Sequence, residues 1–302
     1  MSGTLAVVAH FDPAGQVAGH VDRYLAQLAG SVDRLVVVST APLTDAARRT
    51  LEGHGDLVTR PNVGYDFASW KAGLAAAEPW DGFDRVLVTN DSVVGPMLPL
   101  GLILGEAAPR DVDFWGMTSS GEHSPHVQSW FVVFERPVIR SGLLHGFWRA
   151  LEPVSDRYVV VRRYEVGLSR LLLAGGFTMG SWFRPTPLDA ARARVRLRRA
   201  LRQMPERQRA ALAATRSTWR RPQWNPTYVL WDAVLDRRLP FVKLEVLRDD
   251  PYRFGRERML ARLERAFPEQ MDGVSAFLDR TRADMQRLRG VPGAGAPGAS
   301  RG

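Results

Sequence analysis

At 302 residues, the chain is long enough for about two domains or for one large α/β domain with additions. With 45% hydrophobic and 24% charged residues it can form a core of its own, and because it has no cysteine, disulfides, zinc–thiolate sites and cysteine nucleophiles are excluded. The net charge of +9 favours an anionic partner, namely a nucleotide, a nucleic acid or an acidic lipid surface, without distinguishing among them.

The first third of the chain alternates strand-like and helix-like segments. Continuous apolar runs predict buried strands in LAVVAHF, DRLVVVST, DLVTR and FDRVLVTND. The segments between them predict helices over residues 20–28, in TDAARRTLEGHG and in FASWKAGLAAAE. This alternation predicts an α/β fold with a mostly parallel twisted sheet and helices on both faces.

Polar residues follow each of these four strands. In such a sheet, ligands bind beyond the carboxyl ends of the strands, so these residues are expected to build one site. They are His10 and Asp12 after the first strand, Ser39 after the second, Asn62, Gly64 and Asp66 after the third, and Asn90, Asp91 and Ser92 after the fourth.

The corner formed by Asn90, Asp91 and Ser92 is a candidate site for a cation and a diphosphate. A carboxylate at the carboxyl end of a strand can hold Mg²⁺ or Mn²⁺, which would in turn bind a diphosphate. Because one carboxylate is a small ligand set, phosphate oxygens, water and either Asp66 or His126 would have to assist Asp91. A turn aspartate that caps the next segment is the alternative.

The segment RPNVGYDFASW forms a second candidate, at the corner between the third strand and the next helix. Gly64 permits a backbone conformation or a close approach that other residues resist. Asn62 and Asp66 would then hydrogen-bond a base, a ribose or a sugar. A simple Asx-type turn is the alternative.

The middle third supplies a third candidate, Glu165. Strands are predicted in DVDFWGMTSS and VQSWFVVFERPVI, and YEVGLSRLLLAGGF predicts a helix that begins at Glu165. At a helix N-terminus the dipole stabilises a carboxylate, and Glu165 would be able to take a proton from an attacking hydroxyl group. A first-turn acid that only stabilises its helix is the alternative.

The last third begins with an arginine-rich segment, residues 189–224, that predicts one or two helices. Leu197, Leu201 and Met204 fall on one face, which predicts a helix that covers the core, while the basic face would suit anionic lipid. Nucleic-acid binding is disfavoured because no recognisable module is present. A strand is predicted over residues 241–247, and GVPGAGAPGASRG predicts a disordered tail.

Several common motifs are missing from the sequence. It has no G-x-x-x-x-G-K-[ST], no G-x-G-x-x-G after the first strand and no G-x-S-x-G, which disfavours triphosphate hydrolysis, dinucleotide redox chemistry and serine hydrolysis. It also has no run of roughly eighteen apolar residues and no basic leader before its first strand. The sequence therefore predicts a cytoplasmic protein.

An ordered set of segments resembles the rhamnan synthesis F family of glycosyltransferases. These segments are NVGYD, TNDSVVGP, DFWGMT, QSWFVVF, YEVGLSRLLLAGGF and NPTYVLWDAVLDRRLPFVKLEVLRDDP. The resemblance implies a GT-A-like core over residues 1–188, with a nucleotide-sugar half over about 1–100 and an acceptor half over about 101–188. The arginine-rich helical insertion (189–224), the rest of the catalytic domain (225–256), C-terminal helices (257–289) and the tail (290–302) would follow.

The resemblance also implies an activity, the transfer of a sugar, often rhamnose from a dTDP donor, to a cell-surface polysaccharide or lipid-linked glycan. Asp91 stands where related enzymes carry the metal-binding D-x-D motif, although the text here is N-D-S. Glu165 resembles the acid of the E-D motif that serves as base in inverting transferases, with Val166 in place of the second acid. Such an enzyme would work in the cytoplasm or on the cytoplasmic face of an anionic membrane. A non-catalytic subunit that binds a sugar nucleotide or a glycan is the alternative.

Overall fold

The strands form one large sheet and two short pairs. The computed structural model describes residues 3–105, 108–204, 206 and 225–290, the last six of these as backbone alone. Its strands are β1 (Thr4–His10), β2 (Arg34–Ser39), β3 (Asp56–Thr59), β4 (Arg85–Asn90), β5 (Val93–Val94), β6 (Phe114–Gly116), β7 (Ser119–Ser120), β8 (His126–Val127), β9 (Phe131–Glu135), β10 (Met179–Ser181) and β11 (Val242–Lys243).

The large sheet contains seven of these strands in the order β10-β6-β9-β4-β1-β2-β3. Strand β9 is antiparallel to both of its neighbours, β4 and β6, and the other pairings in the sheet are parallel. The α/β class predicted from the sequence, with a mostly parallel sheet flanked by helices, is therefore confirmed.

Helices make most of the connections between these strands. Those before residue 204 are α1 (Gly19–Ala29), α2 (Asp45–His54), α3 (Tyr65–Ala76), α4 (Leu100–Leu104), α5 (Arg136–Arg140), α6 (Leu143–Ala150), α7 (Arg157–Val160), α8 (Val166–Ala174) and α9 (Pro187–Gln203), and a π-helical segment, Val161–Glu165, joins α7 to α8. After residue 225 come the helices Pro226–Val229, Leu244–Asp249, Arg256–Ala266, Pro268–Met271 and Val274–Gly290, with a 3₁₀ turn at Trp231–Val234.

Both faces of the central strands are buried. Ala6 and Val8 of β1 belong to a hydrophobic cluster that includes the buried face of α1, whereas Leu5 and Val7 belong to a second cluster that includes α3 and α6. Successive side chains of a strand point to opposite faces of the sheet, so a strand covered on both faces has a continuous apolar sequence. Burial of each such valine or leucine stabilises the fold by roughly 1.5–3 kcal/mol.

The chain after residue 225 packs around a third hydrophobic cluster. Val94 of β5 and Val242 of β11 pair in an antiparallel ladder and lie in this cluster with Leu263 and Leu278 of the C-terminal helices. The strand predicted over residues 241–247 is wrong beyond its first residues, because Leu244–Asp249 is a helix. A short apolar run does not distinguish a buried strand from a buried helix.

The arginine-rich segment begins with α9, which covers the core as the sequence predicts. Thr186 and Asp189 form a reciprocal capping box at its start. Leu197 is buried in the first cluster, whereas Arg194 and Arg198 are exposed on the opposite side. The rest of the segment beyond residue 206 and the tail over 291–302 lie outside the described residues.

None of the helices described between residues 3 and 290 has both the length and the hydropathy to cross a bilayer.

Candidate functional site at the carboxyl edge of the sheet

The carboxyl ends of β1, β2 and β4 meet at one edge of the sheet, which we call the rim. The register pairs His10 with Ser39 and Ala9 with Asn90, so the residues that follow these strands lie side by side. Because β9 runs in the opposite direction, its first residues begin at this same edge and bring Ser129 there. The rim therefore collects residues from the ends of parallel strands and from the start of the antiparallel one.

A hydrogen-bonded corner follows β4. Asn90 donates from Nδ2 to Asp66 Oδ2 at 2.7 Å, and its Oδ1 accepts from the hydroxyl and the backbone N–H of Ser92 at 2.6 and 3.2 Å. Asp91 Oδ2 accepts from the backbone N–H of Phe11 at 2.8 Å, which ties this corner to the end of β1. The structure thus brings Asp66, Asn90, Asp91 and Ser92 together.

Two acidic side chains with raised pKa values lie at this corner. Burial, reinforced by Asp66 and Asp12, raises the pKa of Asp91 to about 8, despite the hydrogen bond from Phe11. Burial also raises the pKa of Asp66, although Asn90 and Lys243 oppose the rise. A cation beside these two carboxyl groups would favour their ionised forms.

Lys243 of β11 reaches the same corner. Its Nζ donates to Ser92 Oγ at 2.8 Å and lies 5.3 Å from the centre of the Trp130 ring. Asp66 and Glu165 are both close enough to raise the pKa of this lysine, against the larger effect of its burial. Asp66, Lys243 and Glu165 are therefore close enough to influence one another's charge.

Glu165 is held in place by residues before β9. Ser129 donates to its Oε2 from the backbone N–H at 2.7 Å and from the hydroxyl at 2.5 Å. His126 Nε2 lies 3.5 Å from the other oxygen, Oε1. Although burial raises the pKa of Glu165, His126 and Ser129 outweigh it, so the pKa lies below its ordinary value and the group is a carboxylate at neutral pH.

His126 directs both ring nitrogens to protein groups. Nδ1 donates to the carbonyl of Ser124 at 2.8 Å, and Nε2 faces Glu165. Burial disfavours the charged ring, but Glu165 and Ser124 raise the pKa of His126 above its ordinary value. The role of His126 as a metal ligand stays a prediction.

Glu165 does not begin a helix, contrary to the expectation from YEVGLSRLLLAGGF. The helical stretch starts at Arg157, with Asp156 as its N-cap, and Glu165 is the last residue of the π-helical segment before α8. The helix dipole therefore does not stabilise this carboxylate, and Ser129 and His126 do so instead.

The corner before α3 needs a glycine. Gly64 is the N-cap of α3 with φ +83°, and a Cβ atom there would lie 2.7 Å from Pro153 Cβ. Both the left-handed backbone and the close approach expected at this position are therefore present. Asp66, two residues later, points to Asn90, whereas Asn62 is exposed, and its contact with a donor stays a prediction.

The remaining predicted residues lie at the end of β1 and β2. His10 Nδ1 is 3.0 Å from Ser39 Oγ, and both side chains are buried. Arg280 of the C-terminal helix donates to both oxygens of Asp12, at 2.9 and 2.6 Å. Asp12 is therefore engaged by the protein itself, although it remains close enough to Asp91 to affect its pKa.

Two cavities lie away from the rim. One, of about 220 Å³, lies beside α1 and is lined by His20, Arg23 and Glu269 among others. The other, of about 250 Å³, lies at the amino ends of β1 and β4, next to Thr4 and Arg85. The candidate site is thus defined by its side chains and not by either cavity.

Sequence reasoning missed Lys243, Ser129 and Arg280. Ser129 and Arg280 carry no local signal, because each acts on an acid far away in the chain. Lys243 carries a weak signal, because lysine is rare here: Lys71 and Lys243 are the two lysines among 41 lysine and arginine residues.

Comparison with known families and proteins gives a consistent picture. The family model for rhamnan synthesis protein F matches residues 35–200, more than half of the chain. Virulence protein VirA of Vibrio anguillarum is 25% identical over 199 residues, which cover 64% of this chain and 62% of VirA. The uncharacterized protein y4gN of Sinorhizobium fredii is 25% identical over 170 residues, which cover 54% of this chain and 44% of y4gN. The chain therefore spans less than two thirds of the length of these curated relatives.

Solved structures give only distant matches. A nucleotidyl transferase from Methanothermobacter thermautotroptrophicus is 16% identical with a TM-score of 0.38, over 62% of this chain and 89% of that chain. Glucosyl-3-phosphoglycerate synthase from Mycobacterium tuberculosis, in complex with Mn²⁺, UDP and phosphoglyceric acid, is 17% identical with a TM-score of 0.37, over 66% and 76%. Similarities at this level do not transfer a ligand or an activity to this chain.

Proposed function

The chain belongs to the rhamnan synthesis protein F family, and from that premise we propose that it is a glycosyltransferase. It would move a sugar from a nucleotide-diphosphate donor to a glycan acceptor. The observation that carries this proposal is the shared cluster at the rim: Lys243 Nζ donates to Ser92 Oγ in the corner that also holds Asp66, and both Asp66 and Glu165 are close enough to raise the pKa of this lysine.

In this proposal the donor lies along the rim, with its diphosphate beside the corner at Asn90, Asp91 and Ser92. The nucleoside would extend toward the ends of β1 and β2, where His10 and Ser39 lie, and toward the exposed Asn62. Ligands of parallel α/β sheets bind beyond the carboxyl ends of the strands, which supports this placement.

Glu165 is proposed as the base. An acceptor hydroxyl oxygen would attack the anomeric carbon while the bond from that carbon to the diphosphate breaks, and the hydroxyl proton would pass to Glu165. Ser129 donates twice to Oε2, whereas Oε1 faces only His126 Nε2 at 3.5 Å, so Oε1 is the oxygen proposed to take the proton. A single displacement of this kind inverts the configuration at the anomeric carbon.

The carboxyl groups of Asp66 and Asp91 are proposed to hold a divalent cation. Burial raises the pKa values of Asp66 and Asp91, and a cation beside these side chains would favour their ionised forms. Among the described residues, no three acidic or histidine side chains converge as a metal site, so phosphate oxygens and water would complete the coordination. When bound, Mg²⁺ or Mn²⁺ would neutralise charge on the leaving diphosphate.

The finer proposal follows the family. The donor would be dTDP-rhamnose, and the acceptor a cell-surface polysaccharide or a lipid-linked glycan such as a lipopolysaccharide precursor. Lipid-linked acceptors lie at a membrane, and the exposed arginines of α9 would hold the protein at its anionic cytoplasmic face.

A non-catalytic subunit that binds the sugar nucleotide or the glycan is the second candidate. It is favoured by Val166, which stands where the resemblance expects a second acid, and by the engagement of both Glu165 oxygens. In that case Glu165 would orient the segment before β9 and would accept no proton.

A thermal-shift screen with nucleotide sugars, including dTDP-rhamnose, tests these proposals. A donor that binds the folded state raises the melting temperature, and each such donor is then assayed for transfer and for slow hydrolysis with Mn²⁺. Turnover of a bound donor supports the transferase. Binding without turnover of any donor supports the binding subunit, and the absence of any thermal shift contradicts both.

A further inference from the structure

Lys243 is placed beside the candidate diphosphate corner by strand pairing. It lies in β11, where the register sets it opposite Val93 of β5, one residue after Ser92. The corner after β4 and this lysine are therefore fixed to each other by backbone hydrogen bonds, although 151 residues separate Lys243 from Ser92 in the sequence.

The ammonium group of Lys243 has no ion-pair partner. Within the described part of the chain, no carboxylate oxygen lies within 4.0 Å of its Nζ, whereas most arginines near the rim are paired, as Arg157 is with Glu245 and Arg280 with Asp12. One of its three N–H groups donates to Ser92 Oγ, and the Trp130 ring lies 5.3 Å away. Two donors of a half-buried cation therefore remain for another acceptor.

A half-buried ammonium group that forms no ion pair is costly for the fold. Burial lowers the pKa of Lys243 to about 8, even though Asp66, Glu245 and Glu165 raise it. An apolar residue at this position would avoid this cost, and the cation–π contact with Trp130 offsets only part of it. An anionic ligand that accepts hydrogen bonds from Lys243 Nζ would explain why a lysine stands at this position and would offset the cost of its burial.

The neighbouring acids identify the kind of anion. An ionised carboxylate at this corner would repel a diphosphate, so a positive charge beside Asp66 and Asp91 favours its binding there. We propose that Lys243 binds the diphosphate of the donor and neutralises the charge that develops on it as the sugar leaves. This inference rests on the proposed function, and the contribution of Lys243 adds to that of any divalent cation.

Lysine suits this role better than the arginine that the chain uses elsewhere. A compact ammonium on a flexible stem can follow the diphosphate as its charge increases, whereas a guanidinium is a planar fork that prefers a fixed pair of oxygens. The other lysine, Lys71, donates to the carbonyls of Arg149 and Leu151 and is a structural residue.

Calorimetric binding of inorganic pyrophosphate in the presence of EDTA tests the proposal on the full chain. We expect the wild-type protein to bind pyrophosphate without added metal and Lys243→Met to bind it at least about tenfold more weakly, which corresponds to about 1.4 kcal/mol. Lys71→Met removes the same charge elsewhere and should bind as the wild type does. If Lys243→Met does not fold, Lys243→Gln, which can keep the hydrogen bond to Ser92, carries the test.

Equal binding by the wild type and the Lys243 variant would overturn the inference, and so would wild-type binding that requires added Mn²⁺. Failure of the proposed function would look different. In that case the Lys243 variant would still lose pyrophosphate binding, while no nucleotide sugar would be turned over by the wild type.

Discussion

Replacing Gly64 should destabilise the folded protein, because its backbone conformation and its close neighbours leave no room for a side chain. Its φ of +83° lies in the left-handed region, and a Cβ atom would lie 2.7 Å from Pro153 Cβ and 2.8 Å from Ala68 Cβ. Gly64→Ala should therefore lower the free energy of unfolding by about 1–3 kcal/mol, measured by urea denaturation.

Gly53→Ala is the matched control for this change. Gly53 lies in α2, and a Cβ atom there would meet nothing within 4 Å. Because glycine is a poor helix former, this variant should be as stable as the wild type or more stable by about 0.5–1 kcal/mol. Equal losses in the two variants would contradict the account of the corner.

His10 should make the protein sensitive to acid. Burial is the main reason that its pKa falls from 6.5 to about 4, whereas in the unfolded chain the ring titrates normally. The unfolded state therefore binds more protons between pH 6.5 and 4, so the stability present above pH 6.5 is lost as the pH falls through this window, by on the order of 3 kcal/mol for this residue.

His10→Gln, which keeps a polar partner for Ser39, tests this expectation. The free energy of unfolding of the variant should fall less steeply than that of the wild type between pH 6.5 and 4, with equal slopes above pH 7. A variant whose stability keeps the wild-type slope in the acid window would show that His10 is not the responsible group.

At the scale of elements, the C-terminal helix Val274–Gly290 is anchored on the rim by one residue. Arg280 forms a bidentate ion pair with Asp12, whose side chain is 4% exposed. Arg280→Met leaves that buried carboxylate unpaired, and we expect a loss of about 2–3 kcal/mol in denaturant unfolding, below the usual cost because Arg280 is itself partly exposed. Arg282→Met, an exposed change on the same helix, should be neutral. Unfolding of both variants at the same denaturant concentration would contradict this role.

The exposed face of α9 should bind anionic membranes. Arg194 and Arg198 lie on it, and the side chains of Leu188 and Val195 are 69% and 47% exposed. In flotation assays, the protein should bind vesicles that contain anionic lipid and not neutral ones, and the double variant Arg194→Glu, Arg198→Glu should lose this binding.

The control for this experiment changes two exposed arginines of α2, Arg48→Glu and Arg49→Glu, and alters the net charge equally. It should float as the wild type does. If both double variants lose binding to the same extent, net charge and not α9 is responsible.

Elements were predicted well where the pattern is local and long. The continuous apolar runs of β1, β2 and β4 alternate with helix-like segments, and this alternation favours strands buried on both faces. The start of the helix before Glu165 could not be predicted, because a π-helical segment interrupts the normal spacing at Val161–Glu165. The strand predicted over residues 241–247 was wrong for a different reason, because its few apolar residues fit a strand or a helix equally well.

At the scale of the whole molecule, contacts between distant residues were predictable from the sequence only where the sheet topology brings strand ends together. Parallel strands bring their carboxyl ends to one edge, so Asn90, Asp91 and the end of β1 were expected together and are together. Lys243 and Ser129 reach the same edge through β11 and the antiparallel β9, and no local pattern reveals either pairing.

The central claim is that these strand ends converge on one site where Glu165 accepts a proton. The most direct measurement compares transfer and donor binding in Glu165→Gln, with the exposed Glu152→Gln as control, using a donor that stabilises the wild type. The account predicts a roughly 10²- to 10⁴-fold loss of transfer with donor affinity nearly unchanged, because glutamine can still accept from Ser129 but cannot take a proton. Transfer by Glu165→Gln at the rate of the control would contradict it.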